Sequence, residues 1–342
     1  MVPGQDSRGM LMWCVARRFP LPCYHMTHSR RFRRSPYGII GVMRAAIVMA
    51  CASPLVFAAV AQPRPTVALT GAMPEYGPTN GSLVIVGGGN LEGTGISEKF
   101  IAMAGGANAR IVVVPTAGGN RKADGSLIPY VDSVVLASWR KSGVTNVRML
   151  HTADPKVADT EEFANILRDA TGVWFNGGRQ WNIVDSYAGT RTLREFHNVL
   201  MRGGVIGGSS AGATIQGAYL VRGAISGADV MMAPEPEHQN AFGFLRRSAI
   251  DQHINTRNRW DDLDAVIARF PTLLGIGLSE GTAILVNGDR FDIIGKAQVA
   301  IHDNTKTYAA GAKPYILLKA GDAYDMHERK VLLGTAMVPP VK

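Results

Sequence analysis

A serine that is to act as a nucleophile needs a sharply turned backbone, small neighbours and a base, and one stretch of this sequence supplies the first two. Residues 203–217 read GGVIGGSSAGATIQG. Within them Gly208-Ser209-Ser210-Ala211-Gly212 fits G-x-S-x-G, entered from an apolar Val205-Ile206 pair and left into a helix expected over Ala213–Leu220. Such an elbow holds its nucleophile in strained backbone, so the flanking residues must be small. The hydroxyl selected is that of Ser210 rather than Ser209, because only Ser210 stands at the centre of the motif. Ala211 N–H, at the start of the helix, would face a developing oxyanion. A tight crossover with a capping serine has the same pattern, so other residues must decide.

A serine hydroxyl is a poor nucleophile until a base takes its proton. Outside the N-terminal segment the histidines are His151, His197, His238, His253, His302 and His327. His253 stands out in AIDQHINTRNR (249–259), where an apolar pair leads into Asp251-Gln252-His253 and then Arg257 and Arg259. It follows Ser210 by 43 residues, far enough to reach a neighbouring strand. Paired arginines would give forked hydrogen bonds to substrate carboxylates; the alternative is a solvated helix face. The glycine cluster VGGGNLEGTG (86–95) has G-x-G at Gly87 and Gly89, but Glu92 replaces the third glycine of a dinucleotide fingerprint, and tight-turn packing is the better reading.

Around these residues short β-branched runs (SLVIVGG, ARIVVVPTA, NVRMLH, GVWFNGG, GGVIGG) alternate with helix-period segments such as RTLREFHNVLMRGG. Near-continuous Val/Ile runs point to a parallel sheet buried on both faces, hence an α/β, doubly wound, mostly parallel sheet with helices on both faces. Beyond about residue 280, TAILV, RFDIIG, QVAIH and YILLKA read as strands closing one edge. Ligands bind outside the carboxyl ends of such strands. Here those ends carry VGGG, PTAGG, FNGG and GGSSAG, which should converge on one site. Residues 118–130 (GGNRKADGSLIPY) form a long polar loop near that mouth, a specificity element or an exposed insertion.

GGSSAGA, FNGGRQ and IDQHINTRNR, in this order, resemble the cyanophycinase-like branch of the serine peptidases, which includes aspartyl dipeptidase. The likeness runs from about Gly81 into the strands after Gly281. It implies a class I glutamine-amidotransferase-like, flavodoxin-like fold, with Ser210 as nucleophile, His253 as general base, and Ala211 and Gly178 N–H as the oxyanion hole. Asp251, Gln252, Gln180, Arg257 and Arg259 match positions around the substrate. The family's acid is expected between serine and histidine, where Asp229 is the nearest candidate and Glu235 and Glu237 are alternatives. The implied substrate is cyanophycin, an aspartate backbone with arginine on each side-chain carboxyl, cleaved through an acyl-enzyme without metal or cofactor. Aspartyl dipeptidase activity on small peptides is the alternative, and a binding protein without turnover is a third class.

Composition narrows the partners. The formal charge is +9, but residues 1–61 hold eight Arg, no Lys and only Asp6 as an acid, contributing +7 and leaving +2 for the rest. That ordinary balance removes the electrostatic case for nucleic acid. The basic SRRFRRSP followed by an apolar run and Ala59-Val60-Ala61 reads as a secretory leader over residues 1–61, with a start at Met43 also possible, and predicts export to the periplasm or beyond. A lipid-modified Cys51 is the lesser alternative, and no stable membrane span is expected once the leader is removed. All three cysteines lie in the leader, so neither a disulfide framework nor a cysteine nucleophile is expected beyond it. Residues 62–80 read as a flexible tether, residues 81–342 as a single hydrolase domain, with a homodimer as a possible assembly.

Overall fold

A computed structural model describes residues 73–126 and 128–333. The leader, its cysteines, the alternative start and residues 62–72 lie outside the described residues. Residues 73–80, assigned to the tether by composition, are packed instead: Tyr76 is buried, the Asp289 carboxylate accepts the Glu75 and Tyr76 N–H, and Arg246 donates to the Pro74, Glu75 and Gly77 carbonyls.

The expected apolar runs form β1 (Ser82–Val86), β2 (Arg110–Val114), β3 (Asn146–Met149), β4 (Gly172–Phe175) and β5 (Val205–Ser209). β1, β5, β4, β2 and β3 are neighbours in that order, all parallel; β1, β2, β4 and β5 are buried over most of their length, whereas in β3, at the edge, only Val147 is buried. Strands covered on both sides have no face to give to polar residues, which is why they read as continuous Val/Ile. One face is covered by α1 (Ile96–Met103), α2 (Asp132–Val135) and α3 (Ala137–Lys141). The other face carries α4 (Pro155–Ala158), α5 (Glu161–Ala164), α6 (Gln180–Tyr187), α7 (Arg191–Met201) and α8 (Ala211–Thr214). In α7 the Thr190 hydroxyl caps Leu193 N–H, and Thr192, Phe196, Val199 and Leu200 are buried at helical spacing.

The later strands divide. β8 (Thr282–Asn287) and β9 (Arg290–Gly295) extend the main sheet from β1 in antiparallel fashion, followed by β12 (Ala323–Asp325) and β13 (Lys330–Leu333). Of the four runs expected to close this edge, TAILV and RFDIIG do so, as β8 and β9. β6 (Ser248–Gln252), β7 (Leu274–Leu278), β10 (Gln298–His302) and β11 (Tyr315–Lys319) instead make a second sheet of four strands, order β11-β10-β7-β6, beside which α9 (Leu263–Arg269) packs. Its core residues merge with those of the main sheet in one cluster. The helix expected over Ala213–Leu220 stops at Thr214, because the Ala218 and Tyr219 N–H groups both turn to the Ser248 carbonyl at the start of β6. Pairing with a strand has displaced helix propensity there.

Aromatic packing fixes the two faces against β4 and β5. A Cβ on Gly207 would lie 2.7 Å from both Phe100 and Trp174, so the bare strand makes room for an edge-to-face cluster of Phe100, Trp139 and Trp174. On the opposite face Phe175 meets Phe196, Phe242 and Phe244 with centroids 5.0, 6.3 and 6.3 Å apart. Phe175→Ala removes the centre of this second cluster from a fully buried position and is expected to cost about 3–5 kcal/mol in unfolding free energy. Urea denaturation measures it, and a loss under about 1 kcal/mol would show that the cluster collapses without cost.

Candidate active site

Ser210 sits where β5 ends, with φ 59° and ψ −116°, a backbone that L-residues seldom adopt. The turn is possible because its flanks lack side chains. A Cβ on Gly208 would stand 2.2 Å from the Gly212 carbonyl oxygen, and one on Gly212 would stand 2.1 Å from that of Phe175. Strain of this kind costs about 1–3 kcal/mol and persists only where packing over-determines it.

The Ser210 hydroxyl lies 2.8 Å from His253 Nε2, and His253 Nδ1 lies 2.5 Å from Glu280 Oε1. His253 also has positive φ, 57°, just past the end of β6, and Glu280 follows the end of β7. The serine therefore comes from the main sheet and its two partners from the second. The Glu280 carboxylate also accepts from Thr256 Oγ, and Asn255 Oδ1 accepts the Glu280 N–H. Burial pushes the His253 imidazole below its ordinary pKa by more than the Glu280 hydrogen bond raises it, with the charges of Arg257 and Arg259 acting in the same direction as burial. Partial burial pushes the Glu280 carboxyl up, but hydrogen bonds from His253 and Thr256 outweigh it and hold the group low. At neutral pH this gives a neutral imidazole and a carboxylate, the states a base and its orienter need.

All three are hung from the end of β1. The Ser210 N–H donates to the Val86 carbonyl at 3.0 Å, the His253 N–H to Gly87 at 2.9 Å, and Gly281 N–H, next to Glu280, to Gly88 at 2.9 Å. A Cβ on Gly88 would stand 2.2 Å from the His253 ring, and one on Gly89 would stand 2.7 Å from the Glu280 carboxylate. The VGGG cluster, read from sequence as turn packing, is thus the bed on which imidazole and carboxylate lie.

The remaining expected residues fall in three groups. Gly178 belongs to the turn after β4, whose neighbour Gly177 faces the serine: a Cβ on Gly177 would be 3.7 Å from Ser210 Oγ. Both glycines are exposed, and neither N–H has a hydrogen-bond partner among the described residues. Ala211 N–H opens the single turn of α8 beside the hydroxyl. Arg259 is buried, its Nη1 has no partner, and its Nη2 reaches only Asp229, 3.6 Å away. Gln252 is also buried, with Oε1 unpartnered, and Arg257 is exposed without an ion pair among the described residues. A buried guanidinium lacking a full partner is a costly arrangement that a carboxylate would relieve.

Three expectations are corrected. Asp229 is 99 % exposed and approaches Arg259, so it does not orient His253; Glu280 holds that place, and neither Glu235 nor Glu237 bonds the imidazole. Asp251 is fully buried and gives both carboxylate oxygens to Arg222, at 2.8 and 2.9 Å, so it cannot meet a substrate. Successive strand residues point to opposite faces, which separates Asp251 from Gln252. Gln180 is buried, with Nε2 committed to the Val221 and Arg222 carbonyls, and braces the site's wall. Arg222, which no local motif marks, joins these elements: besides Asp251 it binds the Asp262 carboxylate and the Ala228 carbonyl. Among the described residues no group of three His, Cys, Asp or Glu side chains is placed to hold a metal ion.

The sequence matches the model of Peptidase family S51 over residues 83–294. A cyanophycinase of Geminocystis herdmanii is 26% identical over 226 residues, covering 65% of this chain and 80% of the relative. A cyanophycinase of Trichormus variabilis is 24% identical over 273 residues, covering 74% and 88%. A cyanophycinase of Synechococcus elongatus is 30% identical over 227 residues, covering 65% and 68%. The crystal structure of a peptidase from an acI-B1 Actinobacterium shares the fold, with TM-score 0.56, 21% identity and coverage of 72% of this chain and 97% of that one.

Three outcomes follow from the geometry. Because His253 must be neutral to accept a proton and burial lowers its pKa, the acid limb of kcat/KM is expected below about pH 6.5, the ordinary histidine value. Glu280→Gln removes the carboxylate that raises this pKa, so the limb should move further down while kcat falls at least about 10²-fold. An unshifted limb with unchanged kcat would remove Glu280 from the site. Gly88→Ala drives a methyl group into the His253 ring and should abolish activity while circular dichroism stays near that of the parent; full activity would show that the ring has room to move.

Proposed function

The chain belongs to peptidase family S51, and from that premise we propose that it hydrolyses the aspartyl backbone bonds of a β-aspartyl-arginine polymer outside the cytoplasm, through an acyl-enzyme on Ser210. It is a cyanophycinase-like serine peptidase. One observation carries the assignment of roles: His253 stands within hydrogen-bond reach of both Ser210 Oγ and Glu280.

In this reading His253 Nε2 takes the hydroxyl proton as Ser210 Oγ bonds to the scissile carbonyl carbon. Glu280 steadies the imidazolium through Nδ1–H. The oxyanion meets Ala211 N–H together with the N–H groups of the Gly177–Gly178 turn. His253 then protonates the leaving amine, and a water deprotonated by the same nitrogen cleaves the acyl-serine, restoring the hydroxyl. The aspartyl carboxylate pairs with Arg259, whose buried Nη1 has no partner within the described residues, with Arg257 at the entrance. The relatives named cyanophycinase support the polymer as substrate, and the basic and apolar leader supports export.

A fluorophosphonate probe is expected to label the protein and to fail on Ser210→Ala. The wild type should release β-aspartyl-arginine from cyanophycin. Preferential cleavage of Asp-Leu-type dipeptides would move the assignment to an aspartyl dipeptidase, and cleavage of neither substrate would overturn the aspartyl reading. N-terminal sequencing of protein recovered from outside the cytoplasm should begin near Gln62.

A further inference from the structure

Next in the chain to the turn that faces Ser210 lies a cavity of about 470 Å³, lined by residues of the long polar loop and of α6. Its wall is continuous with the oxyanion turn. Arg179 follows Gly178 directly and donates its N–H to the Ala117 carbonyl at 2.7 Å, and a Cβ on Gly178 would lie 2.3 Å from that same oxygen. The loop that forms the opposite wall is pinned rather than loose. His151 Nε2 lies 3.1 Å from Asn120 Oδ1, Tyr130 donates to the Gly119 carbonyl at 2.9 Å and packs on the His151 ring, and Ile128 N–H bonds the Asn120 carbonyl.

This arrangement presents two guanidinium groups, Arg121 from the loop and Arg179 from the oxyanion turn, to one cavity. Each gives one nitrogen to a carbonyl, of Gly125 and of Ala224, and neither forms an ion pair among the described residues. The acid lining the cavity, Asp185, is engaged by His238 Nε2 at 2.7 Å. Trp181 also lines it, and its buried indole N–H has no acceptor. Arg121, Arg179 and Trp181 therefore border one cavity, and Arg179 follows the oxyanion turn directly.

We propose that this cavity is a second carboxylate subsite, in which Arg121 and Arg179 bind a free carboxylate of the substrate other than the one facing Arg259. The proposal rests on the peptidase reading and deepens it: the substrate must carry two carboxylates flanking the scissile bond, as an acidic dipeptide or a polymer with free α-carboxylates does. Forked, charge-assisted hydrogen bonds from arginine discriminate a carboxylate from an amide by about tenfold or more. Residues 118–130 then act as the specificity element that sets what stands next to the cleaved bond.

The test compares the α-linked dimer of β-aspartyl-arginine, which holds one backbone bond of the polymer, with the same dimer whose arginine carboxyls are amidated. The wild type is expected to favour the free acid about tenfold in kcat/KM, mostly through KM. In Arg179→Gln and in Arg121→Gln the ratio of free acid to amide should fall towards one. Calorimetric titration of both compounds into Ser210→Ala, with and without Arg179→Gln, reads the same preference without turnover. Hydrolysis of both compounds with equal kcat/KM in the wild type, or a ratio unmoved by either arginine variant, overturns the subsite and leaves the peptidase reading intact. Absence of hydrolysis with the carboxylate preference retained in binding overturns the reaction and leaves the subsite. If Ser210→Ala binds neither compound, the subsite falls.

Discussion

Three successive carbonyls at the end of β1 are the constraint on which the site depends. Val86, Gly87 and Gly88 accept hydrogen bonds from Ser210, His253 and Gly281, so one short stretch of backbone sets the spacing of a hydroxyl, an imidazole and a carboxylate from two different sheets. Side-chain hydrogen bonds alone could not do this, because exposed or half-exposed pairs contribute little and tolerate many geometries. Backbone bonds at a strand end are rigid, since β1 is paired on both sides, with β5 and β8. The glycines add the complementary requirement that nothing project from that strand end into the ring and carboxylate above it.

Much of this was legible from local patterns and some was not, for definable reasons. Ser210 and His253 were readable because an elbow and a basic segment after a histidine are local features. Their backbone requirements, small neighbours and positive φ, leave marks within five residues. Glu280 left a fainter mark. It is a lone acid in LSEG, 27 residues past the histidine, placed by a strand pairing that no local pattern encodes. The useful signal was that it follows the carboxyl end of an apolar strand, as the serine and the histidine do, whereas Asp229 lies in a loop with no strand before it. The parallel strands were likewise plain in the Val/Ile runs, but the split of the later strands between two sheets was not, since both kinds have the same apolar texture.

The buried charges show why motif membership misleads about contact. Asp251 and Arg259 belong to one segment, and both are buried, yet their electrostatics are opposite. Asp251 has both oxygens satisfied by Arg222, an arrangement that is stable because neither partner is left alone. Arg259 has a buried donor unmet and a distant, solvent-bathed acid for company. The first is architecture, and the second is the opening at which the proposed function places a substrate carboxylate. Arg222, holding Asp251 and Asp262 at the two ends of the segment that carries His253, keeps that opening in place.

The order in which the chain supplies its parts gives the β1 anchor a temporal meaning. β1 is complete by residue 86, but two of the three groups it organises arrive after residue 250, and β8, which pairs its second edge, ends at residue 287. Contacts of such sequence separation form late and together, because a long loop must close before they are rewarded. A chain interrupted before β8 has the elbow but lacks the second support for the strand that aligns it. The three groups of the site are therefore all present only once the chain has been extended past residue 280, and the second support of β1 only once it has reached residue 287.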